Sequence, residues 1–415
     1  GLHALQLYGK MLANRIEPSK VIFLCILKAC SSLNRVIEGR LVHNHIMIYA
    51  LESDVAIASS LIDMYGKCGS LDEGYEIFRK LKSCNAMTWG ALISGHVQNG
   101  KYVLALKLVS KMQNEGIAPS IITSVHIMKA CACTGEKRLG RFEHHRLIEN
   151  GVLLDVVITS AMIDMYAKFG SLEDAKKLFH DFPKRNIVSW SSMIWGHVEH
   201  GNSVHALDLF QQMIMSGVFP DKVVCLCVLK ACGNTGAICE GRWMHDQIVI
   251  TNIDSDVAVG SAIIDMYAKS GHLEEARCVI DRLHNRNVMS WGALIAGYAQ
   301  HGSLHQTSEC INIMINQGLK PNHVIFSSIL VACSHSGLLK EGHLFFRIMA
   351  EHHDVAPCID HYASMLDLLS RSGYLKEASG FIQGMPMPPN VVMLTSMLTN
   401  CVAHNSVNLA RQHFE

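Results

Sequence analysis

Residues 156–186 read VVITSAMIDMYAKFGSLEDAKKLFHDFPKRN, and the pattern inside that stretch decides the fold. Val157, Ile158, Ala161, Met162, Met165 and Tyr166 recur at helical spacing, so one helix has an apolar face. Phe169-Gly170 breaks the run, because glycine accepts the left-handed backbone that closes a helix. Ser171 then reads as the cap of a second helix, with Glu173 and Asp174 on the first turn, where the helix dipole favours acids. A second apolar stripe through Ala175, Leu178 and Phe179 turns back onto the first. The stretch predicts a helix–turn–helix.

The pattern repeats. Ile163-Asp164-Met165-Tyr166 matches Ile62-Asp63-Met64-Tyr65 and Ile264-Asp265-Met266-Tyr267, each 101 residues from the next. Trp89, Trp190 and Trp291 keep the same spacing, as do Lys67, Lys168 and Lys269, and Lys28-Ala29-Cys30, Lys129-Ala130-Cys131 and Lys230-Ala231-Cys232. Each period divides into units of 31, 35 and 35 residues: 55–85, 86–120 and 121–155; 156–186, 187–221 and 222–256; 257–287 and 288–322. A long unit 20–54 precedes them, and 323–358 and 359–390 follow, with partial units at 1–19 and 391–415. Ser70 and Glu73 form a capping-box pattern at a second helix, and Pro119, Pro220 and Pro321 are expected to stop the second helices of 35-residue units. A two-helix unit cannot bury both faces alone, so the units must stack. The expected fold is all-α, a right-handed superhelical solenoid of helix–turn–helix repeats.

Composition agrees with a continuous array. Of the 415 residues, 49% are hydrophobic and 17% charged, with nine prolines and no linker-like stretch. Basic and acidic residues balance at 36 each, which opposes duplex DNA as a partner, since such binders need a basic excess. Single strands can be held by a local groove and base contacts, so they pass this test. Fifteen cysteines lack a C-x-x-C pair; Cys30, Cys131, Cys232 and Cys333 each follow an alanine and read as small apolar core residues. No run is long enough to span a membrane. The sequence starts mid-helix at Gly1, so a targeting peptide is expected to lie outside it.

Alternating 35, 35 and 31 residues resemble the PLS class of pentatricopeptide repeat proteins of plant organelles, of the RNA-editing-factor type. The resemblance is carried by IDMYGKCGSLDEG (62–74), IDMYAKFGSLEDAKKLF (163–179), IDMYAKSGHLEEA (264–276), MTWGALISGHVQNG (87–100) and VLKAC (228–232) followed by an EGR turn. Tetratricopeptide repeats keep a constant period and lack the alternation. The resemblance implies a reader of single-stranded RNA in a mitochondrion or chloroplast, with one base contacted by the fifth and last residues of each unit. An Asn amide offers a donor and an acceptor to adenine, while Asp only accepts, matching the N–H donors of guanine. Ser59/Asn85, Ser160/Asn186 and Ser261/Asn287 then imply adenine, and Ser191/Asp221 implies guanine. Gly90/Ser120 and Gly292/Asn322 lack the fifth-position hydroxyl, and Ser327/Cys358 and Ala363/Asn390 also depart from readable pairs. Long units carry Leu24, Val125 and Leu226 beside Asp54, Asp155 and Asp256, so weak discrimination is expected there. The implied target is A-n-n-A-G-n-A, each good contact contributing roughly 1–3 kcal/mol.

The resemblance also implies that second residues of units, Met87, Val157, Val188 and Met289, sandwich bases; ordinary core packing is the alternative, and periodicity leaves both open. Lys67, Lys168, Lys269 and Arg371 fall where the family approaches phosphate, or else simply place a cation at a helix C-terminus. Proteins of the class that this chain resembles commonly specify cytidine-to-uridine editing sites, and many end in a zinc deaminase with H-x-E and P-C-x-x-C motifs. His197-Val198-Glu199 matches H-x-E but aligns with His96-Val97-Gln98 inside a repeat, and no P-C-x-x-C follows. It is read as coincidence. The adjacent pairs among 24 histidines, His144-His145 and His352-His353, point apart on a helix and read as surface or groove residues rather than metal ligands. Residues 391–415 resemble the start of the post-repeat E region, truncated before any catalytic domain. The expectation is therefore a reading head with no catalytic residue, cofactor or metal. Its partners would be RNA and an editing deaminase or accessory editing proteins, with factors for RNA stability, splicing or translation, or a protein scaffold, as alternatives.

Overall fold

A computed structural model describes residues 1–151, 156–182, 185–353 and 355–404. Among the described residues there are 24 α-helices, from Leu2–Ala13 to Val391–Ala403, and no strand. They alternate as first and second helices of repeats. Unit 55–85 holds Val55–Lys67 and Leu71–Lys80; unit 86–120 holds Ala86–Gln98 and Tyr102–Asn114; unit 121–155 holds Ile121–Thr134 and Lys137–Glu149. The same pairing continues to Ile359–Arg371 and Leu375–Gln383.

The helices group into two compact units, Gly1–His200 and Gly201–Glu415. The division falls inside repeat 187–221, between Ile187–Glu199 and Ser203–Met215. Within each unit, the first helices of successive repeats pack on one another, and a second helix packs on the first helix of its own repeat wherever both lie in that unit. Each unit is thus an all-α helical repeat solenoid. Small residues set the approach of neighbouring first helices. A Cβ added to Gly66 would stand 2.8 Å from the Gly95 Cα. Behind that line the tryptophans fill the core. Trp89, Trp190 and Trp291 are at most 2% exposed, and Phe78 and Phe179 meet Trp89 and Trp190 edge-on at 4.6 and 4.7 Å. Cys30, Cys131, Cys232 and Cys333 are fully buried, as read from the sequence, and burial pushes the Cys131 and Cys232 thiols up to about 12.

The turns correct two sequence expectations. Ser70 and Ser171 precede second helices but make no side-chain cap bond. The reason is the shortness of the turn. Ser70 N donates to the Tyr65 carbonyl at 2.9 Å while Gly69, at φ 79°, donates to Gly66, which is the Schellman closure of the first helix. That bond holds Ser70 at ψ 63°, so its hydroxyl is turned away from the next helix's amides. The acids Asp72 and Glu73 still complement the dipole. The prolines do not stop the second helices either. Tyr102–Asn114 and Ser203–Met215 end before Gly116 and Gly217, at φ 72° and 73°, and Pro119 and Pro220 come later, just ahead of the next helix.

Candidate nucleic-acid interface

The last residue of a unit is the N-cap of the following unit's first helix. Asn85 Oδ1 accepts from Met87 N and Thr88 N, both at 3.0 Å, and Thr88 closes a reciprocal capping box. Asn186 and Asn287 do the same with Ser189 and Ser290. Ser120, Asp221, Asn322 and Asn390 cap through Thr123, Val224, Ile325 and Met393. Capping therefore uses the side-chain oxygen and fixes the rotamer. In the Asn caps the amide nitrogen, with two donors, is left over. The sequence reading credited these amides with a donor and an acceptor together; the acceptor is already engaged.

The fifth residues lie one turn inside the same helices. Ser59, Ser160, Ser191 and Ser261 are nearly buried and donate to the carbonyls of Val55, Val156, Ile187 and Val257 at 2.5–2.7 Å. With its proton committed, each hydroxyl oxygen keeps lone pairs for an incoming donor. The structure brings Ser160 and Asn186 together, Oγ to Oδ1 at 3.1 Å. Ser191 belongs to the first compact unit and Asp221 to the second. Gly90 departs from serine for a packing reason: a Cβ there would lie 2.7 Å from Thr123 Oγ1. That threonine hydroxyl, hydrogen-bonded to Ser120 at 2.9 Å, takes the space, and the sequence reading missed it. Gly292 has only ordinary contact with Ile325.

The second residues are outward-facing rather than core. Met87, Val157, Val188 and Met289 are 49–66% exposed. Val21, Ile122, Val223, Val324 and Val392, at the same place in their units, are also 49–72% exposed and were not singled out from sequence. Aligning the units' starts would have found them. In the first compact unit a groove of about 530 Å³ is lined by Ser59, Met87, Gly90, Ser120, Ile122 and Lys67 together. In the second, Ala363, Asp367 and Val392 line a smaller one.

Charge on this face is balanced locally. Lys67, Lys168, Lys269 and Arg371 each pair with an acid four residues earlier, Asp63, Asp164, Asp265 and Asp367, at 2.7–2.8 Å. At the ends of two long units, Asp54 and Asp256 cap the next helix and also meet Lys20 and Lys222 at 2.6 Å. Those lysines hold the two carboxyls below the usual carboxylate range. Asp155 and His352–His353 side chains lie outside the described residues, as does 405–415 of the post-repeat segment. Cys358 caps the helix Ile359–Arg371 with His361, whose Nδ1 is 3.1 Å from its Sγ.

Of the adjacent histidines, His144 is not a free surface residue: it bonds the Tyr166 hydroxyl at 2.8 Å, as His43 and His245 bond those of Tyr65 and Tyr267 at 3.0 and 3.2 Å. His145 does face solvent. His197 and Glu199 sit on the ordinary repeat helix Ile187–Glu199, and no group of three or more His, Cys, Asp or Glu among the described residues could hold a metal ion. No helix is long and apolar enough to cross a membrane among the described residues.

Comparison with known proteins fits this geometry. Models of the PPR repeat family match residues 84–133 and 185–234, the pentatricopeptide repeat domain matches 285–336, and the PPR repeat matches 57–85, 157–187, 261–288 and 360–387. The chain is 34% identical over 412 residues to a chloroplastic pentatricopeptide repeat-containing protein of Arabidopsis thaliana, covering 99% of this chain and 51% of that one. It is 34% identical to a mitochondrial relative from the same plant, covering 98% and 63%, and 35% identical to another, covering 97% and 68%. The chain thus spans about half to two-thirds of these relatives' length. The fold is similar to that of maize PPR10 in complex with an 18-nt psaJ RNA element, with a TM-score of 0.60 at 15% identity over 99% of this chain and 70% of that one. From its repeats and its relatives, this chain belongs to the pentatricopeptide repeat family.

Proposed function

We propose that the chain reads single-stranded RNA one base per repeat, specifying an organellar transcript for cytidine-to-uridine editing carried out by a partner. The observation that carries the reading is the row of exposed apolar second residues beside the amide nitrogens that the Asn caps leave over. Exposed aliphatic side chains at a fixed place in successive repeats are costly in water unless flat partners cover them. Bases have two apolar faces and a polar edge. A base between Val157 and Val188 would present its edge to Asn186 and Ser160. The Asn186 amide would donate to adenine N1, and the Ser160 oxygen would accept from N6. At Asp221, the carboxylate would accept from guanine N1–H and N2–H.

The paired cations Lys67, Lys168, Lys269 and Arg371 would meet phosphate only by sharing with their acids. Such sharing agrees with the zero net charge. Relatives named chloroplastic and mitochondrial, and PPR10 with bound RNA, support an organellar RNA as the partner class. In this reading, 1–390 is the recognition array and 391 onward begins an E-type segment that engages a deaminase or an accessory editing protein.

The test is binding of the chain to RNAs carrying A-n-n-A-G-n-A and to RNAs of equal composition with the purines scrambled. The pattern should bind at least about tenfold more tightly, as several base contacts are lost together. Equal binding would overturn the base-reading assignment.

A further inference from the structure

We infer that Lys20 and Lys222 switch off base reading in their own repeats by occupying the carboxylate at the repeat's end, making these lysines specificity-determining residues. The inference rests on the RNA reading proposed above and adds a rule for which repeats are silent.

Lys20 and Lys222 are the first residues of units 20–54 and 222–256, and Asp54 and Asp256 are the last. The chain runs up one helix and back down the next, which brings the two ends of a unit together. Nζ and Oδ2 stand 2.6 Å apart in both units. The other carboxylate oxygen is also committed. Asp54 Oδ1 accepts from Ala56 N and Ile57 N at 3.0 and 3.1 Å, and Asp256 Oδ1 accepts from Ala258 N and Val259 N at 3.0 and 3.2 Å. Two separate long units arrive at the same five-atom arrangement. Asp221 differs. It accepts one cap bond, from Val224 N at 2.9 Å, and its unit begins with Ile187 rather than lysine.

The chemistry follows from bond strength. Guanine N1–H or uracil N3–H can bond Asp54 or Asp256 well only by displacing an ammonium. That exchanges a bond in which both partners are charged for one in which only the carboxylate is, with no net gain. The fifth residues of these units, Leu24 and Leu226, offer no second polar group to tip the exchange. A nucleotide facing either unit is therefore held without regard to its base, and removing the lysine opens the carboxylate.

The experiment uses the full chain, its Lys222→Met and Lys20→Met variants, and four RNAs that differ only at the nucleotide facing the altered unit. Both lysine side chains are about half exposed, so melting curves should match those of the parent. The parent should bind all four RNAs within about twofold, whereas each variant should favour guanine and uracil over adenine and cytosine by about five- to tenfold. A parent that already prefers guanine or uracil, or a parent preference that the variant loses, overturns the inference, because the lysine would then be absent from the contact or reading the base itself. Asn186→Asp is measured alongside at its own nucleotide. If Asn186→Asp moves preference from adenine to guanine while Lys222→Met stays flat, the lysine rule is wrong and RNA reading stands. If neither variant responds, RNA reading fails and the lysine rule falls with it.

Discussion

The short repeat 156–186 and the long repeat 222–256 use one scaffold for opposite ends. Each closes with a residue that caps the next first helix: Asn186 in the short repeat, Asp256 in the long one. Asn186 caps with its oxygen and keeps an amide nitrogen to offer, and Ser160 stands beside it. Asp256 caps with one oxygen and is tied to Lys222 through the other. The second helices differ as well. Leu172–Asp181 buries Phe179 against Trp190, whereas the longer helices Lys137–Glu149 and Ile238–Ile250 leave Phe142 57% and Trp243 41% exposed. The short repeat 156–186 thus packs its second-helix aromatic into the core and leaves its polar edge open, whereas the long repeat 222–256 leaves its second-helix aromatic partly exposed and closes that edge with Lys222. In the proposed reading, capping alone does not make a reader; what the cap leaves over does.

The core side of this contrast should give the largest effect. Phe179→Ala removes a ring 1% exposed and should cost about 3–5 kcal/mol in chemical denaturation. Phe142→Ala, on a long repeat, should cost less than about 1 kcal/mol. Comparable losses would show that the long repeat's aromatic is also structural.

A smaller effect lies at the joint where a long repeat meets the short one after it. His43, His144 and His245 on long repeats bond Tyr65, Tyr166 and Tyr267 on short ones, and burial lowers all three imidazoles from their usual value. The unfolded chain then binds protons that the folded chain does not. The stability from these joints is complete above the unfolded value of about 6.5 and is lost as pH falls through the lower folded values. The melting temperature should drop between pH 7.5 and 5.5. Replacing all three histidines with glutamine should flatten that drop; an unchanged slope would place the pH sensitivity elsewhere.

Much of this contrast was legible in the sequence. The 101-residue recurrence of Ile-Asp-Met-Tyr and of the tryptophans leads to paired helices, because apolar spacing and left-handed glycines are local signals. The caps at second helices were misread. A capping box assumes an extended N-cap, and Ser70 is held at ψ 63° by a bond to the helix before it. Exposure of Val157 and Met289 could not be read from periodicity, since a first helix packed on three sides is apolar nearly all round. The Lys222–Asp256 pair spans 34 residues and exists only because the turn folds one end of the repeat onto the other. Thr123 standing in for a serine at Gly90 is likewise a contact between helices, with no trace in either repeat alone.

The central claim is that an open cap at the end of a repeat chooses a base. The most direct measurement is the affinity of the parent and of Asn186→Asp for two RNAs that differ only in adenine or guanine at the nucleotide facing repeat 156–186. Aspartate still caps the helix, so the fold is kept and only the leftover group changes from donor to acceptor. The account predicts that the parent favours adenine and the variant guanine, each by about tenfold. An unchanged preference, or none in either protein, would contradict it.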